Sequence, residues 1–333
     1  MLTRLTVSIL LSAAALTACD DSDDPPSDGC VGHTCGGTGA AITDPEGGNV
    51  ILERMVLDSE LQAAFKLPAG VTTVTRVVAY FMSAQTPEAN PLPTPGACNN
   101  LTVTKGWPGY VGSPHTDVDV GTLTLKGKNA AGADVSFALE KKPMGLDPFG
   151  RLHDVYYQLI QPEVATLLKP DSFYSVTFGG VAGGMPETTF QDAIYLSSDY
   201  PAIQNPGLED NGPLRAGTDF TVSWTPPTPV NLPAAANLVG GGLQGLTWLV
   251  DVSGAPTHVC VAPATAGGFT IPGATIAEFR AVATARGQTP DKMILLRNAV
   301  AHQLVRLPTT DATNLRRIDM LSLACSAQLM DVQ

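Results

Sequence analysis

The chain has 333 residues and a mass of 34.6 kDa, more than one hydrophobic core commonly fills, so two domains are expected. With 44% hydrophobic and 15% charged residues it is not a chain that stays unfolded throughout, and 33 Gly with 27 Pro announce many turns. A formal net charge of −12 leaves no dense Lys/Arg surface, which excludes nucleic acid as a partner.

Arg4 precedes the apolar run Leu5 to Leu16, interrupted only by Thr6, Ser8 and Ser12. This has the form of a secretory signal and is shorter than the roughly 20 residues a membrane span needs. Leu16-Thr17-Ala18-Cys19 resembles the lipobox of bacterial lipoproteins, where the chain is cut before the cysteine and its sulfur takes a diacylglycerol. Residues 1–18 therefore read as a signal peptide, and Cys19 as the lipidation site. Each buried methylene contributes about 0.8 kcal/mol, so several acyl chains would hold the protein to a membrane through its lipid anchor. Residues 19–48 carry seven acids and no Lys or Arg, the composition of an extended, disordered, acidic tether. An Asp directly after the lipidated Cys resembles an inner-membrane retention signal, whereas an acidic run there resembles a surface-export signal. The expectation is a lipid-anchored envelope protein at the outer membrane or cell surface, with the inner membrane facing the periplasm as the alternative.

Export would place the remaining cysteines, Cys30, Cys35, Cys98, Cys260 and Cys325, in an oxidising compartment. Cys30 and Cys35 enclose Val-Gly-His-Thr, a loop a disulfide could close; a metal reading through His33 lacks a fourth ligand. Cys260 and Cys325 fall in two predicted strands and could bridge them, which leaves Cys98 without an obvious partner unless it competes for Cys30 or Cys35.

From Asn49 onward, short alternating or β-branched runs are broken by Gly, Pro, Asn and Asp. Strands are predicted at 50–57, 74–82, 118–126, 134–139, 155–160, 173–178 and 190–196, and a helix at Pro162–Lys169. Residues 206–217, rich in Gly and Pro, read as a linker between domains at 49–205 and 218–333. The second half predicts strands at 218–224, 246–252, 258–261 and 268–271, then a helix at 274–286 ended by Gly287. Two long runs, 293–307 and 318–330, predict a hairpin with a loop, and Leu321, Leu323, Cys325, Ala327 and Leu329 alternate onto one face. The fold class is mainly β: two antiparallel β-sandwich domains with one or two short helices.

The phrases Phe173-Tyr-Ser-Val-Thr-Phe178-Gly-Gly, Gly217-Thr-Asp-Phe-Thr-Val-Ser-Trp224-Thr-Pro and Gly268-Phe-Thr-Ile-Pro272 resemble those of uncharacterised bacterial exported lipoproteins with immunoglobulin-like sandwich domains. The resemblance implies the fold and an envelope location and carries no catalytic residues across. Trp224 and Trp248 both precede Cys260, unlike the Cys-Trp-Cys order of true immunoglobulin domains.

Searching for chemistry finds no G-x-S-x-G, H-E-x-x-H, Walker or EF-hand motif. His115, Asp117 and Asp119 alternate along one predicted strand, too few oxygens for a hard cation. His153 and Asp154 are adjacent and would point to opposite faces of a strand, which argues against an acid/base pair. His258 shares a face with Cys260, where a disulfide is a better expectation than a soft-metal site. Trp107 and Tyr110, in a Gly/Pro-rich connection, are the binding candidates, because loop aromatics offer large contact area at low entropy cost. No cofactor and no metal is expected. The functional expectation is a non-enzymatic binding, adhesion or structural role toward an envelope protein or glycan; the alternative is a hydrolase acting on polysaccharide or peptide.

Overall fold

The computed structural model describes residues 34–35, 46–84, 96–100, 115–146, 152–162, 168–196, 202–210, 212–226, 244–254, 256–306 and 317–333. Its first half contains β1 (Thr34–Cys35), β2 (Glu46–Leu57), α1 (Ser59–Ala64), β3 (Thr73–Ala84), β4 (Cys98–Asn100), β5 (His115–Asp117), β6 (Leu123–Lys128), β7 (Asp134–Leu146), β8 (Leu152–Pro162), β9 (Ser172–Phe178) and β10 (Thr188–Leu196). The second half adds β11 (Ala202–Asn205), β12 (Phe220–Thr225), β13 (Gln244–Val250), β14 (Pro256–Pro263), β15 (Gly268–Ile271), α2 (Gly273–Ala285), β16 (Lys292–Arg306) and β17 (Arg317–Asp331). The mainly β composition and the long closing hairpin match the expectation. Helix α1 was not anticipated: Asp58 caps it, its carboxylate accepting the Leu61 N–H at 2.7 Å. The helix expected at Pro162–Lys169 lies mostly outside the described residues, with Pro162 closing β8.

Among the described residues, fourteen strands join one sheet in the order β10-β9-β6-β7-β8-β3-β2-β17-β16-β13-β14-β4, with β1 added to β16 and β5 to β3. Strands β11, β12 and β15 form a separate small sheet. The two separate antiparallel sandwiches expected from strand spacing are not what the pairing produces. Strands β2 and β17 lie in parallel register, Ile51 beside Leu321 and Met55 beside Cys325, and carry the sheet from one half of the chain into the other. Alternation tells which residues face a core; it does not tell which strand lies alongside.

Three cores result. On one face of the central strands, Ile51, Val78, Tyr80, Trp248, Ile294, Leu321, Leu323 and Cys325 pack together with Leu61 of α1. The opposite face is divided. Val50, Leu52, Ile318 and Met320 pack against Tyr174, Val176, Phe178 and Phe190, where the sheet folds back so that β10 lies against β16 and β17. Farther along, Leu249, Met293, Leu295 and Met330 pack against the small sheet and against Ile276 and Phe279 of α2. Between these two cores β17 presents Ser322, Ala324, Ser326 and Gln328, small or polar residues that let polypeptide approach: the Ser322 hydroxyl donates to the Tyr195 carbonyl, and the Gln328 amide donates to the carbonyls of Gly207 and Asp210 at 3.1 Å each.

The segment read as a linker is thus laid on the sheet. Arg297, 1% exposed, donates to the Pro206 carbonyl at 3.0 Å and to the Gln328 side-chain carbonyl. Leu214 bridges the last residues of the chain, donating to the Asp331 carbonyl and accepting from the Gln333 N–H.

The expected Cys260–Cys325 bridge is replaced by Cys98–Cys260, a pair 162 residues apart that fastens β4 to β14. Cys260 faces the core beneath α2, whereas Cys325 lies in the core on the other face and is free. Two intervening strands set β14 and β17 about 14 Å apart, beyond the roughly 7 Å Cα reach of a disulfide. Non-reducing peptide mapping is expected to recover Cys98 joined to Cys260 and Cys325 as a thiol. Leu323→Ala, deleting a fully buried side chain of a strand packed on both faces, is expected to cost about 2–5 kcal/mol in urea unfolding.

Candidate functional site

Strands β9, β6 and β7 bury one face and leave the other to solvent, and β10 does so as far as Asp192, beyond which Ala193, Ile194, Tyr195 and Leu196 are all buried. Buried Leu123, Leu125, Tyr174 and Val176 alternate with solvent-side Thr124, Lys126, Ser175 and Thr177, the period-2 pattern of a half-buried antiparallel sheet. Gly127 is required within it, since a Cβ there would come within 2.3 Å of the Tyr174 ring. On the solvent face lies an open groove of about 460 Å³, lined by Lys126, Lys128, Ser136, Phe173, Ser175 and Asp192 among others.

A bulge shapes the groove's edge. Phe190 pairs with Val176 and Ile194 with Tyr174, so three residues of β10 oppose Ser175 alone. Asp192 takes φ 52°, a left-handed conformation uncommon outside glycine. Ser175 closes the bulge, its hydroxyl accepting the Asp192 N–H at 3.2 Å and donating to the Gln191 side chain at 3.0 Å. Ser175 is also the register partner of Lys126, which in turn pairs with Ser136, so Asp192, Ser175, Lys126 and Ser136 form one row across four strands. Beside this row the Phe173 ring leans on Tyr195, centroids 5.1 Å apart, and Tyr195 donates to Asp171 at 3.2 Å. Lys128 is engaged by Asp134 at 2.5 Å; neither Lys126 nor Asp192 has a side-chain partner among the described residues.

A second polar cluster is sealed inside the first core. Glu53 and Arg76 are cross-strand partners on β2 and β3, with Arg76 Nε 3.1 Å from Glu53 Oε2, and the Cys325 thiol donates to Glu53 Oε1 at 3.4 Å. Burial pushes the Glu53 carboxyl up, with Arg76 pulling against it, and burial and Glu53 together push the Cys325 thiol well up. Such a thiol is a poor nucleophile, and the cluster is fully buried, so it reads as part of the packing.

The residues singled out from sequence are dispersed. Cys19, Cys30, Trp107 and Tyr110 lie outside the described residues, and Cys35 pairs through β1 with Leu304 of β16. Asp119 is consumed locally: burial acts to raise its carboxyl, but hydrogen bonds from Lys141, the Gly121 N–H and the Tyr157 hydroxyl outweigh it and hold the carboxyl low. The Tyr157 hydroxyl is pushed up by burial and by Asp119. Asp117 accepts the backbone N–H of Asp154, so two regions that looked unrelated in sequence meet as neighbours. His258 sits beneath α2 between Thr257 at 3.0 Å and Glu278 at 3.2 Å, with burial lowering its pKa against the pull of Glu278. With Cys260 in a disulfide and Cys325 on the other face, these three do not converge on a metal, and among the described residues no group of three or more His, Cys, Asp and Glu does.

Sequence reading missed the groove. The available signal was the lapse of alternation in Phe190-Gln-Asp-Ala-Ile194, where the charged Asp192 occupies the position that period-2 alternation from Phe190 to Ile194 assigns to the core. No family model matches the chain, and no curated protein is similar to it.

The raised Glu53 carboxyl fixes a sign for pH dependence. The folded state holds that proton more tightly than the unfolded chain, so this contribution to stability is present below about 4.5 and is lost as pH rises through the folded value. Measured by urea unfolding from pH 4.5 to 7.5, the wild-type chain is expected to lose stability relative to Glu53→Gln as pH rises; a difference that is flat or grows the other way would contradict the assignment.

Proposed function

We propose that this chain is a lipid-anchored protein of the bacterial cell envelope with a non-enzymatic binding role, held to the membrane through Cys19 by the acidic segment that follows it. The observation that supports this reading is the Cys98–Cys260 disulfide, a bond that oxidising, extracytoplasmic compartments favour, taken together with the signal-like segment ending in Leu-Thr-Ala-Cys19. The resemblance to exported lipoproteins supports the same location. The immunoglobulin-like fold it implies enters only in coarser form, as a β-rich exported body.

A binding role is supported by the open groove over β6, β7, β9 and β10, where polar and aromatic groups are set side by side by strand register rather than by loops. The partner is an envelope protein or a glycan, met at the outer membrane or cell surface. In the source cell, Cys19→Ala is expected to move the protein from the membrane fraction to the soluble exported fraction; retention of the variant in membranes would refute the anchor.

A further inference from the structure

Resting on that reading, we propose that the groove over β6, β7, β9 and β10 binds a neutral oligosaccharide chain. The charges in it select the class. Lys126 and Asp192 line the same groove, and both side chains lack a partner among the described residues. An anionic ligand meets Asp192 and a cationic one meets Lys126, each at a cost in repulsion. Sugar hydroxyls donate to the carboxylate and accept from the ammonium, so an uncharged polyol satisfies both, and Ser136 and Ser175 in the same row extend the set of hydroxyl partners.

The apolar side of the site has matching chemistry. Phe173 is half-buried on the solvent side of β9, and its ring is held against Tyr195. It offers a flat apolar surface to the C–H face of a pyranose, already ordered, so little conformational entropy is lost on binding. The row Asp192, Ser175, Lys126 and Ser136 crosses three inter-strand spacings, about 14 Å, which is longer than a monosaccharide and suits a chain laid across the strands. Asp192 is held in its left-handed conformation by Ser175, and backbone strain of this kind concentrates at ligand clamps.

The test is affinity electrophoresis of the full-length chain in non-ionic detergent, through gels containing α-mannan, dextran or a β-glucan, with polygalacturonate and chitosan as charged counterparts. Retardation by at least one neutral polysaccharide is expected, with affinity falling about tenfold in Phe173→Ala and in Lys126→Ala. Asp192→Gly, which removes the carboxylate while suiting the backbone conformation, is expected to weaken retention while leaving the fold intact. No retardation by any of the three neutral polymers, retention only by a charged one, or retention unchanged in these variants would overturn the proposal. Cys19→Ala leaves the groove untouched, so failure of the membrane anchor and failure of glycan binding are read separately.

Discussion

Strands β2 and β17 lie side by side in parallel, and contacts such as Cys325 with Glu53 join residues 272 positions apart. The rest of the molecule depends on this pairing. It places the apolar faces of β3 and β8 in continuity with those of β16 and β13, so that one core spans both halves of the chain. Loop-closure entropy opposes contacts of such separation until much of the surrounding sheet is in place, which assigns the β2–β17 ladder to the late, cooperative part of folding. The Cys98–Cys260 disulfide acts on the same problem from the sheet's edge by shortening the loop the unfolded chain has to close.

The central strands are covered on both faces, and their polar residues are correspondingly constrained. Arg297 is buried with neutral partners, the Pro206 and Gln328 carbonyls, and burial pushes its guanidinium down to about 9, still charged at neutral pH. Glu53 and Arg76 meet as a buried ion pair. Arrangements of this type contribute less to stability than apolar packing of the same volume; what they confer is register, since a shift of β16 or β2 by one residue would strand a charge in a hydrophobic core. The pinned segment 206–210 is the visible product of that constraint, because the Arg297 and Gln328 side chains bond its carbonyls only when β16 and β17 are aligned as they are.

How far the sequence could be read depended on whether a feature was local. The alternation of Leu321, Leu323, Cys325, Ala327 and Leu329 onto one face, the strand Gly268–Ile271 and the helix after Pro272 all rest on neighbours within a few residues, and all are present. Pairing is not local. Nothing near Cys98 marks it as the partner of Cys260, and nothing in Val50-Ile-Leu distinguishes a strand edge-paired in a sandwich from one buried between β3 and β17. The groove fell between these cases: each of its strands was anticipated, but Lys126, Phe173 and Asp192 become a site only once β6, β9 and β10 are set side by side in register.

The position of β2 also determines how the molecule answers to force. Among the described residues ahead of β2, the two-residue strand β1 is joined to the sheet. A pull on the chain before Glu46 acts along the axis of β2, which is hydrogen-bonded to β3 on one side and β17 on the other. Both ladders then bear the load in shear, with many hydrogen bonds sharing it at once, instead of opening one bond at a time as a peeled edge strand would. Strand β1 would detach first as a short leader, and the body of the protein would hold behind it as a mechanical clamp.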